Sequence, residues 1–227
     1  IRLSFEHPDF FIVQLRAMLR AAAFAASKRG QMRIMFPMIT VLEEIHRVRN
    51  MVRRACRELE REGKPFHPVP IGMMLEVPAA AVSIDSLLNR VDFVSIGSND
   101  LVQYLMAADR DNPKVSALCQ PLAPPVLQLL ATVVESCNAA NKPLTLCGEM
   151  AGQPKAFVLL VGMGLRSFSM SPAFIPSMKD LASHLTLATA SKITKHALRL
   201  KTTARVKLYM RHQLKEIAPN LSLLDSD

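Results

Sequence analysis

IGMMLEVPAAAVSIDSLLNRVDFVSIGSND, residues 71–100, contains two short apolar runs separated by a segment of mostly small residues. The runs at 71–77 and 91–97 are nearly continuous rather than alternating, which is typical of strands buried on both faces of a parallel sheet. The segment between them predicts a helix, because parallel strands need a crossover connection. The stretch therefore predicts a strand–helix–strand unit of an α/β fold.

The same alternation continues on both sides of this unit. Further strands are predicted at 32–38, 143–148 and 165–170, and helices at 8–30, 41–63, 125–140, 153–163 and throughout 176–217. Thr40 and Glu43 predict a capping box at the start of the 41–63 helix. Five strands allow either a doubly wound sheet or part of a (β/α)8 barrel. No GxGxxG motif follows a strand, which disfavours the dinucleotide-binding doubly wound form. We expect an α/β portion at 1–175 and a C-terminal helical segment at 176–227 that packs on it.

Composition narrows the class of protein further. The chain has 227 residues, is 50% hydrophobic and carries a formal charge of +9, but residues 68–175 hold 6 basic and 8 acidic groups. With two Tyr, no Trp and no recognised motif, a nucleic-acid partner is not expected. No apolar run reaches the roughly 18–20 residues that span a bilayer, so no membrane partner is expected either. The four cysteines form no CxxC pair, and the sequence predicts free thiols in the cytoplasm.

Chemically useful side chains follow the predicted strands. Glu76 ends one strand, Asn99 and Asp100 follow the next, and Cys147 and Gly148 end a third. In parallel α/β folds the carboxyl ends of the strands form the active face. The pattern therefore indicates a site, although a structural role for each residue alone stays open.

A divalent cation would account for the two carboxylates. An unpaired buried carboxylate is costly, and two near each other repel. Mg2+ bridging Glu76 and Asp100 would remove both costs, since Mg2+ binds one or two carboxylates plus substrate oxygens. The alternative is that the carboxylates cap or pair structurally, that Cys147 is a small buried apolar residue, and that Arg110 is a solvated loop cation.

Five blocks of the sequence carry a family resemblance. They are RIMFPMIT at 33–40, IGMMLEVPAA at 71–80, VDFVSIGSNDLVQYLMAADRDN at 91–112, LCGEMAG at 146–152 and GMGLRSFSMSP at 162–172. In this order they resemble enzyme I of the bacterial phosphoenolpyruvate-dependent phosphotransferase system, in its C-terminal phosphoenolpyruvate-binding domain. Both the sugar-system form and its nitrogen-related paralogue fit, and the dikinase and synthase enzymes that use phosphoenolpyruvate share some of these elements.

The resemblance implies an eight-stranded (β/α)8 TIM-type barrel, of which this chain would hold about the last five strands, with residues 1–3 ending the strand before them. It implies that Glu76 and Asp100 hold Mg2+, and that Asn99 and the backbone around Asp100 bind the substrate phosphate or carboxylate. Arg110 would pair with the substrate anion, and Gly148 would allow close approach of the ligand.

The same resemblance gives Cys147 the role of proton donor to the enolate of pyruvate. An ordinary thiol, with a pKa of about 8.5, still carries its proton at neutral pH. The implied activity is a phosphotransferase that moves the phosphoryl group of phosphoenolpyruvate to a protein histidine and then to the phosphocarrier protein HPr or its nitrogen-related counterpart, as a homodimer.

The phosphorylated histidine of this family lies in a Gly-rich Ser/Thr-His motif of an N-terminal domain. None of the six histidines here lies in such a motif, so we expect the chain alone to be inactive in phosphotransfer, because it cannot complete the cycle without an acceptor histidine. A regulatory module that works by binding partners is the alternative. Basic residues recur every three to four positions over 192–215, which predicts a solvated helical face or a contact with an acidic partner.

Overall fold

The computed structural model describes residues 1–219, and helices alternate with strands along them as predicted. The chain divides into two compact units, Ile1–Val94 and Ser95–Asp227. The elements are α1 (Arg2–Glu6), α2 (Pro8–Ser27), β1 (Ile34–Phe36), α3 (Leu42–Arg61), β2 (Ile71–Leu75), α4 (Pro78–Val82), α5 (Ile84–Leu88), β3 (Phe93–Gly97), α6 (Ser98–Leu105), α7 (Pro124–Ala139), β4 (Leu144–Cys147), α8 (Pro154–Met163), α9 (Ile175–Ser183), α10 (Leu187–Ala197) and α11 (Thr203–Ile217).

Parallel strands form the centre of the first unit. β1 pairs with β2 in parallel, with Ile34 opposite Ile71. The other neighbour of β2 is β3, whose first two residues belong to this unit. Just before β3, Asp92 fixes this register, because its backbone N–H donates to the Ile71 carbonyl and its Oδ2 accepts from the Ile71 N–H, both at 2.7 Å. The buried, near-continuous apolar pattern of β2 is what a parallel strand covered on both faces requires.

Helix α3 begins one residue later than its predicted capping box requires. The prediction of Glu43 as the capping carboxylate is wrong, because Glu44 takes this role. Its Oε2 accepts hydrogen bonds from the backbone N–H groups of Thr40 and Val41 and from the Thr40 hydroxyl. Burial raises the pKa of Glu44, but these hydrogen bonds outweigh it and hold that pKa below its usual value. The capping carboxylate is therefore ionised at neutral pH and fixes the start of the helix.

Helix α2 corrects one expectation from composition. Its 20 residues are long and apolar enough to cross a membrane by length and composition alone. Five of its side chains are buried in the first unit, and Arg16 forms ion pairs with Glu58 and Glu62 of α3. These contacts are typical of a helix that packs in a folded core.

Two predicted strands differ in the structure. The prediction that residues 1–3 end a strand is wrong, because Arg2 starts α1 and the Ile1 carbonyl accepts from the Phe5 N–H. The predicted strand 165–170 is reduced to a single parallel bridge between Leu146 and Phe168. Two backbone hydrogen bonds, from Leu146 N to Ser167 O and from Ser169 N to Leu146 O, still hold this segment beside β4.

In the second unit, the end of β3 lies beside β4, and α7 packs against β4. Helices α8 and α10 approach closely, because Gly162 leaves room for the Thr194 hydroxyl, which donates to the Leu159 carbonyl at 3.1 Å. Helices α9 to α11 confirm the predicted helices over 176–217, and α10 packs against α8. The domain boundary at 175 stays a prediction, and residues 220–227 lie outside the described residues.

Candidate functional site

The site of the second unit lies where β3 and β4 end. α6 starts at Ser98, directly after β3, so its first turn holds Asn99 and Asp100. β4 ends at Cys147, and Gly148 leads into a 3-10 turn over Glu149–Gly152. The carboxyl ends of these two neighbouring strands therefore present the predicted amide, carboxylate and thiol residues at one edge of the sheet.

Three contacts lock the two strand ends together. The Ser98 hydroxyl donates to the Cys147 carbonyl at 2.7 Å. The Glu149 N–H donates to Asn99 Oδ1 at 3.0 Å. Gly148 fits between them at φ +95° and ψ −176°, where a Cβ would stand 2.8 Å from Asn99 Oδ1 and closer still to Ser98 Oγ. Both the backbone conformation and the close approach require glycine at this position.

A cavity of about 360 Å³ opens beside this junction. Its lining includes Asn99, Cys147, Gly148 and Glu149, with Ser169 and Phe174 from the segment after the Phe168 bridge. Cavities of roughly 300–1,000 Å³ are the usual size of small-molecule sites. The structure thus brings together three of the residues singled out from the sequence at one ligand-sized cavity.

The orientation of the Asn99 amide follows from its partner. Because Oδ1 accepts the Glu149 N–H, Nδ2 is the remaining end of the amide. No described residue accepts a hydrogen bond from Nδ2, and Asn99 lines the cavity. The amide therefore offers two N–H donors for an oxygen-rich ligand.

The Cys147 thiol is half-buried and has two partners in β3. Its Sγ donates to the Ile96 carbonyl at 3.3 Å and accepts from the Ser95 hydroxyl at 3.7 Å. The thiol is thus held at the cavity with one hydrogen-bond donor aimed at sulfur.

Arg110 and Asp100 lie less centrally than predicted. Arg110 lines a neighbouring small cavity of about 70 Å³ together with Asn99 and Glu149, and its Nη1 lies 3.9 Å from Glu149 Oε1. Arg110 is exposed, so this ion pair contributes little stability and leaves the guanidinium available. Asp100 is half-buried in the first turn of α6 and lines neither cavity.

Glu76 belongs to the first unit and follows β2 directly. Its side chain is 4% exposed, and Oε1 accepts from the Met38 N–H at 2.6 Å. Met38 has a positive φ of +55°, which is uncommon for a residue with a side chain, so Glu76 also stabilises the turn after β1. The predicted position at a strand end is confirmed, and the carboxylate has a structural partner as well.

The donor chemistry fits Mg2+ in part. In residues 1–219, no group of three or more His, Cys, Asp or Glu side chains is arranged to hold a metal ion. Mg2+ commonly takes one or two carboxylates and completes its shell with water and substrate oxygens. Glu76 and Asp100 are hard oxygen donors of this kind, so each fits such a role without a third protein ligand.

Sequence reasoning missed several residues at this site. Ser95 and Ser98 lie within one of the five motif blocks but were given no role, although their hydroxyls contact Cys147. Glu149, Ser169 and Phe174 line the cavity and were also not singled out. Ser98 and Glu149 are sequence neighbours of Asn99 and Gly148, and Ser169 and Phe174 lie within or just after the 162–172 motif. This proximity is the signal that could have indicated them.

The fold and the site together define a class: an α/β protein with a ligand-sized polar cavity at the carboxyl ends of parallel strands. A solved citrate lyase from Burkholderia xenovorans LB400 has a similar fold, with a TM-score of 0.55, 18% identity, and coverage of 95% of this chain and 73% of that chain. This likeness confirms the predicted TIM-barrel-like α/β fold class.

Comparison of sequences identifies the family. Residues 1–187 match the family of PEP-utilising enzymes, in the PEP-binding domain, so the chain belongs to that family. A phosphoenolpyruvate-protein phosphotransferase of Cupriavidus necator is 43% identical over 185 residues, covering 81% of this chain and 31% of that protein. One of Haemophilus influenzae is 40% identical over 207 residues, covering 91% and 35%.

A third relative, described as phosphoenolpyruvate-dependent phosphotransferase system, comes from Salmonella typhimurium. It is 36% identical over 215 residues, covering 94% of this chain and 28% of that protein. The resemblance drawn from the sequence motifs is confirmed by these relatives. The chain spans about a third of the length of the curated relatives it matches.

Proposed function

We propose that the chain is the phosphoenolpyruvate-binding part of a phosphoenolpyruvate-protein phosphotransferase. The phosphoryl group would pass to a histidine in a part of such proteins that this chain does not cover, and pyruvate would be released. The observation that carries the proposal is the cavity where the Asn99 amide, Gly148 and the Cys147 thiol meet. Family membership and the phosphotransferase relatives support the same substrate.

Binding of the substrate anion would use donors at the start of α6. The Asn99 Nδ2 group supplies two N–H donors, and the N-terminus of α6 carries partial positive charge. Arg110 would release Glu149 and pair with a phosphate or carboxylate, which a guanidinium binds through two parallel hydrogen bonds. Gly148 lines the same cavity and would present its backbone to the ligand, while the space that a side chain would fill there is taken by Ser98 and Asn99.

Proton transfer would fall to Cys147. When the phosphoryl group leaves phosphoenolpyruvate, the organic product is the enolate of pyruvate, whose methylene carbon must gain a proton. The Cys147 S–H bond would turn from the Ile96 carbonyl towards that carbon and break as the C–H bond forms. Ser95 would then stabilise the thiolate through its O–H donor until solvent returns the proton.

Mg2+ is proposed as the cofactor, with Glu76 and Asp100 each a candidate ligand. The ion would neutralise negative charge on the substrate oxygens as the enolate forms. Both carboxylates follow the ends of strands and supply oxygen ligands, which supports this assignment. We further propose a homodimer in the cytoplasm that passes the phosphoryl group to a phosphocarrier protein such as HPr, in either the sugar-system or the nitrogen-related branch. The four free cysteines agree with a reducing compartment.

The proton-donor role can be tested without a phosphoryl acceptor. Protonation of the enolate is reversible, so the protein should exchange the methyl protons of pyruvate for deuterium in D2O with Mg2+ present, as followed by proton NMR. General acid–base groups contribute about 10²- to 10⁴-fold, so Cys147→Ala should lower the exchange rate by about 100-fold or more. Its affinity for phosphoenolpyruvate by calorimetry should stay within about threefold.

Cys56→Ala is the matched control, since Cys56 is also half-buried and free but lies outside this cavity. It should leave both the exchange rate and the affinity unchanged. Full exchange activity in Cys147→Ala would remove the proton-donor role. If the unaltered protein neither binds phosphoenolpyruvate with Mg2+ nor exchanges pyruvate protons, the proposed function itself is wrong.

A further inference from the structure

The arginines of α3 fall on two faces with different partners. On one face, Arg54 pairs with Glu58 of the same helix and with Asp9 of α2, and Glu58 and Glu62 also pair with Arg16. This face is balanced, because each cation there meets a carboxylate. Such mutual neutralisation is what solvated helix charges ordinarily show.

The other face of α3 lacks this balance. Arg49 Nη1 donates to the Arg90 carbonyl at 2.9 Å, and Arg53 contacts the Asn50 side-chain oxygen. Among the described residues, no carboxylate forms an ion pair with Arg49, Arg53 or Arg90. Three guanidinium groups therefore carry uncompensated charge on one surface of the first unit.

These three arginines line one cavity. It measures about 540 Å³, and His46 and the first residue of β2, Ile71, also contribute to its lining. The carboxylate next to Ile71 is that of Asp92, which uses Oδ2 to accept the Ile71 N–H and is not among the lining residues. The cavity is thus both ligand-sized and cationic.

The cavity lies at the opposite end of β2 from Glu76. Ile71 opens the strand and Glu76 follows its last residue, a separation of about 17 Å at roughly 3.3 Å per residue. In barrel-type α/β folds the catalytic groups lie at the carboxyl ends of the strands. A ligand bound at the amino end of β2 would therefore leave the catalytic end free.

We propose that Arg49, Arg53 and Arg90 form a second binding site for a small polyvalent anion, of the phosphorylated or polycarboxylate class, separate from the phosphoenolpyruvate site. Guanidinium groups bind such anions through paired, charge-assisted hydrogen bonds, and three of them around one cavity match two or more anionic groups. The His46 ring adds one more N–H donor to the lining. The site would bind its ligand without transforming it, since apart from that imidazole its lining residues include no nucleophile or acid.

Inorganic pyrophosphate is a suitable probe, titrated into the full chain by calorimetry at low salt. The unaltered protein should bind it saturably, and Arg49→Gln/Arg90→Gln should weaken binding at least tenfold. Arg53→Gln alone should weaken pyrophosphate binding several-fold. Because Arg53 is exposed, this variant should keep its fold and still tests the proposal if the double variant does not fold. Arg57→Gln, an exposed arginine of α3 outside the cavity, is the matched control and should change nothing.

Two further experiments distinguish this site from the phosphoenolpyruvate cavity and from a lipid-binding surface. Arg110→Gln should leave pyrophosphate binding intact; loss of binding there would place the anion at the phosphoenolpyruvate cavity and overturn the proposal. Co-sedimentation with phosphatidylglycerol vesicles should be weak and independent of Arg49 and Arg90. Vesicle binding that needs those residues, no saturable pyrophosphate binding, or equal affinity in all variants would each contradict the proposal of a small-anion site.

Discussion

Replacing Gly148 by alanine tests the junction that builds the candidate site. Gly148 has φ +95° and ψ −176°, a region used almost only by glycine, where other residues pay about 1–3 kcal/mol. The added Cβ would stand 2.8 Å from Asn99 Oδ1 and closer still to Ser98 Oγ, and such overpacking costs about 1–3 kcal/mol more. We therefore expect Gly148→Ala to lower the free energy of unfolding by about 4 kcal/mol.

Gly63→Ala is the control for the backbone contribution. Gly63 also has a positive φ, +62°, but nothing lies within 4 Å of an added Cβ. Its cost should be about 1–2 kcal/mol, the ordinary penalty of the left-handed region. Urea unfolding measures both values, and calorimetry with phosphoenolpyruvate should show binding weakened at least tenfold in Gly148→Ala only.

Equal destabilisation by Gly148→Ala and Gly63→Ala, within about 0.5 kcal/mol, would refute the reasoning. It would mean that the strand ends of β3 and β4 are not packed against each other as described. Unchanged phosphoenolpyruvate affinity in Gly148→Ala would separately show that the geometry of Asn99 does not matter for binding.

Two further predictions concern a hydroxyl and a surface carboxylate. Ser95→Ala removes the hydroxyl donor to Cys147 Sγ, and we expect the pyruvate exchange rate to fall about fivefold to tenfold with little change in phosphoenolpyruvate affinity; an unchanged rate would contradict the stabilising role. Hydrogen bonds from Lys64 and Arg16 lower the pKa of Glu62 to about 2 from 4.5, so its ion pairs stabilise the fold above about pH 4.5 and are lost as pH falls towards 2. Thermal unfolding between pH 5 and 2.5 should thus be less pH-dependent in Glu62→Gln, and an identical pH profile in both proteins would contradict this.

Much of the site could be predicted because parallel strands place their carboxyl ends together. If the strands predicted at 91–97 and 143–148 are neighbours, their carboxyl ends place Asn99 near Cys147 and Gly148. The apolar runs of β2 and β3 identify them because each strand is buried on both faces. These features depend on local sequence, which is why they could be predicted.

Other features depend on tertiary contacts that no local pattern encodes. The use of Ser98 and Ser95 as partners of Cys147 depends on how β3 and the start of α6 pack against the end of β4. The capping carboxylate moved from Glu43 to Glu44 because the backbone of Val41, in an extended conformation, decides where α3 starts. The strand end expected at residues 1–3 came from the family resemblance, and the five residues of α1 are too few for periodicity to have indicated a helix instead.

The central claim is that the Asn99 cavity binds phosphoenolpyruvate, and Asn99→Asp tests it most directly. The substitution keeps an oxygen to accept the Glu149 N–H, so the fold is retained, but it replaces the two Nδ2 donors by negative charge. A lost hydrogen bond to a charged ligand costs about 1.5–3 kcal/mol, before any repulsion between the anions is counted.

Calorimetric titration of phosphoenolpyruvate with Mg2+ should therefore show affinity at least 100-fold weaker in Asn99→Asp. Asn141→Asp, which adds the same charge at an exposed turn before β4 that lines neither cavity, should bind like the unaltered protein. Equal affinity in Asn99→Asp and Asn141→Asp would contradict the account, because the substrate would then not lie against Asn99.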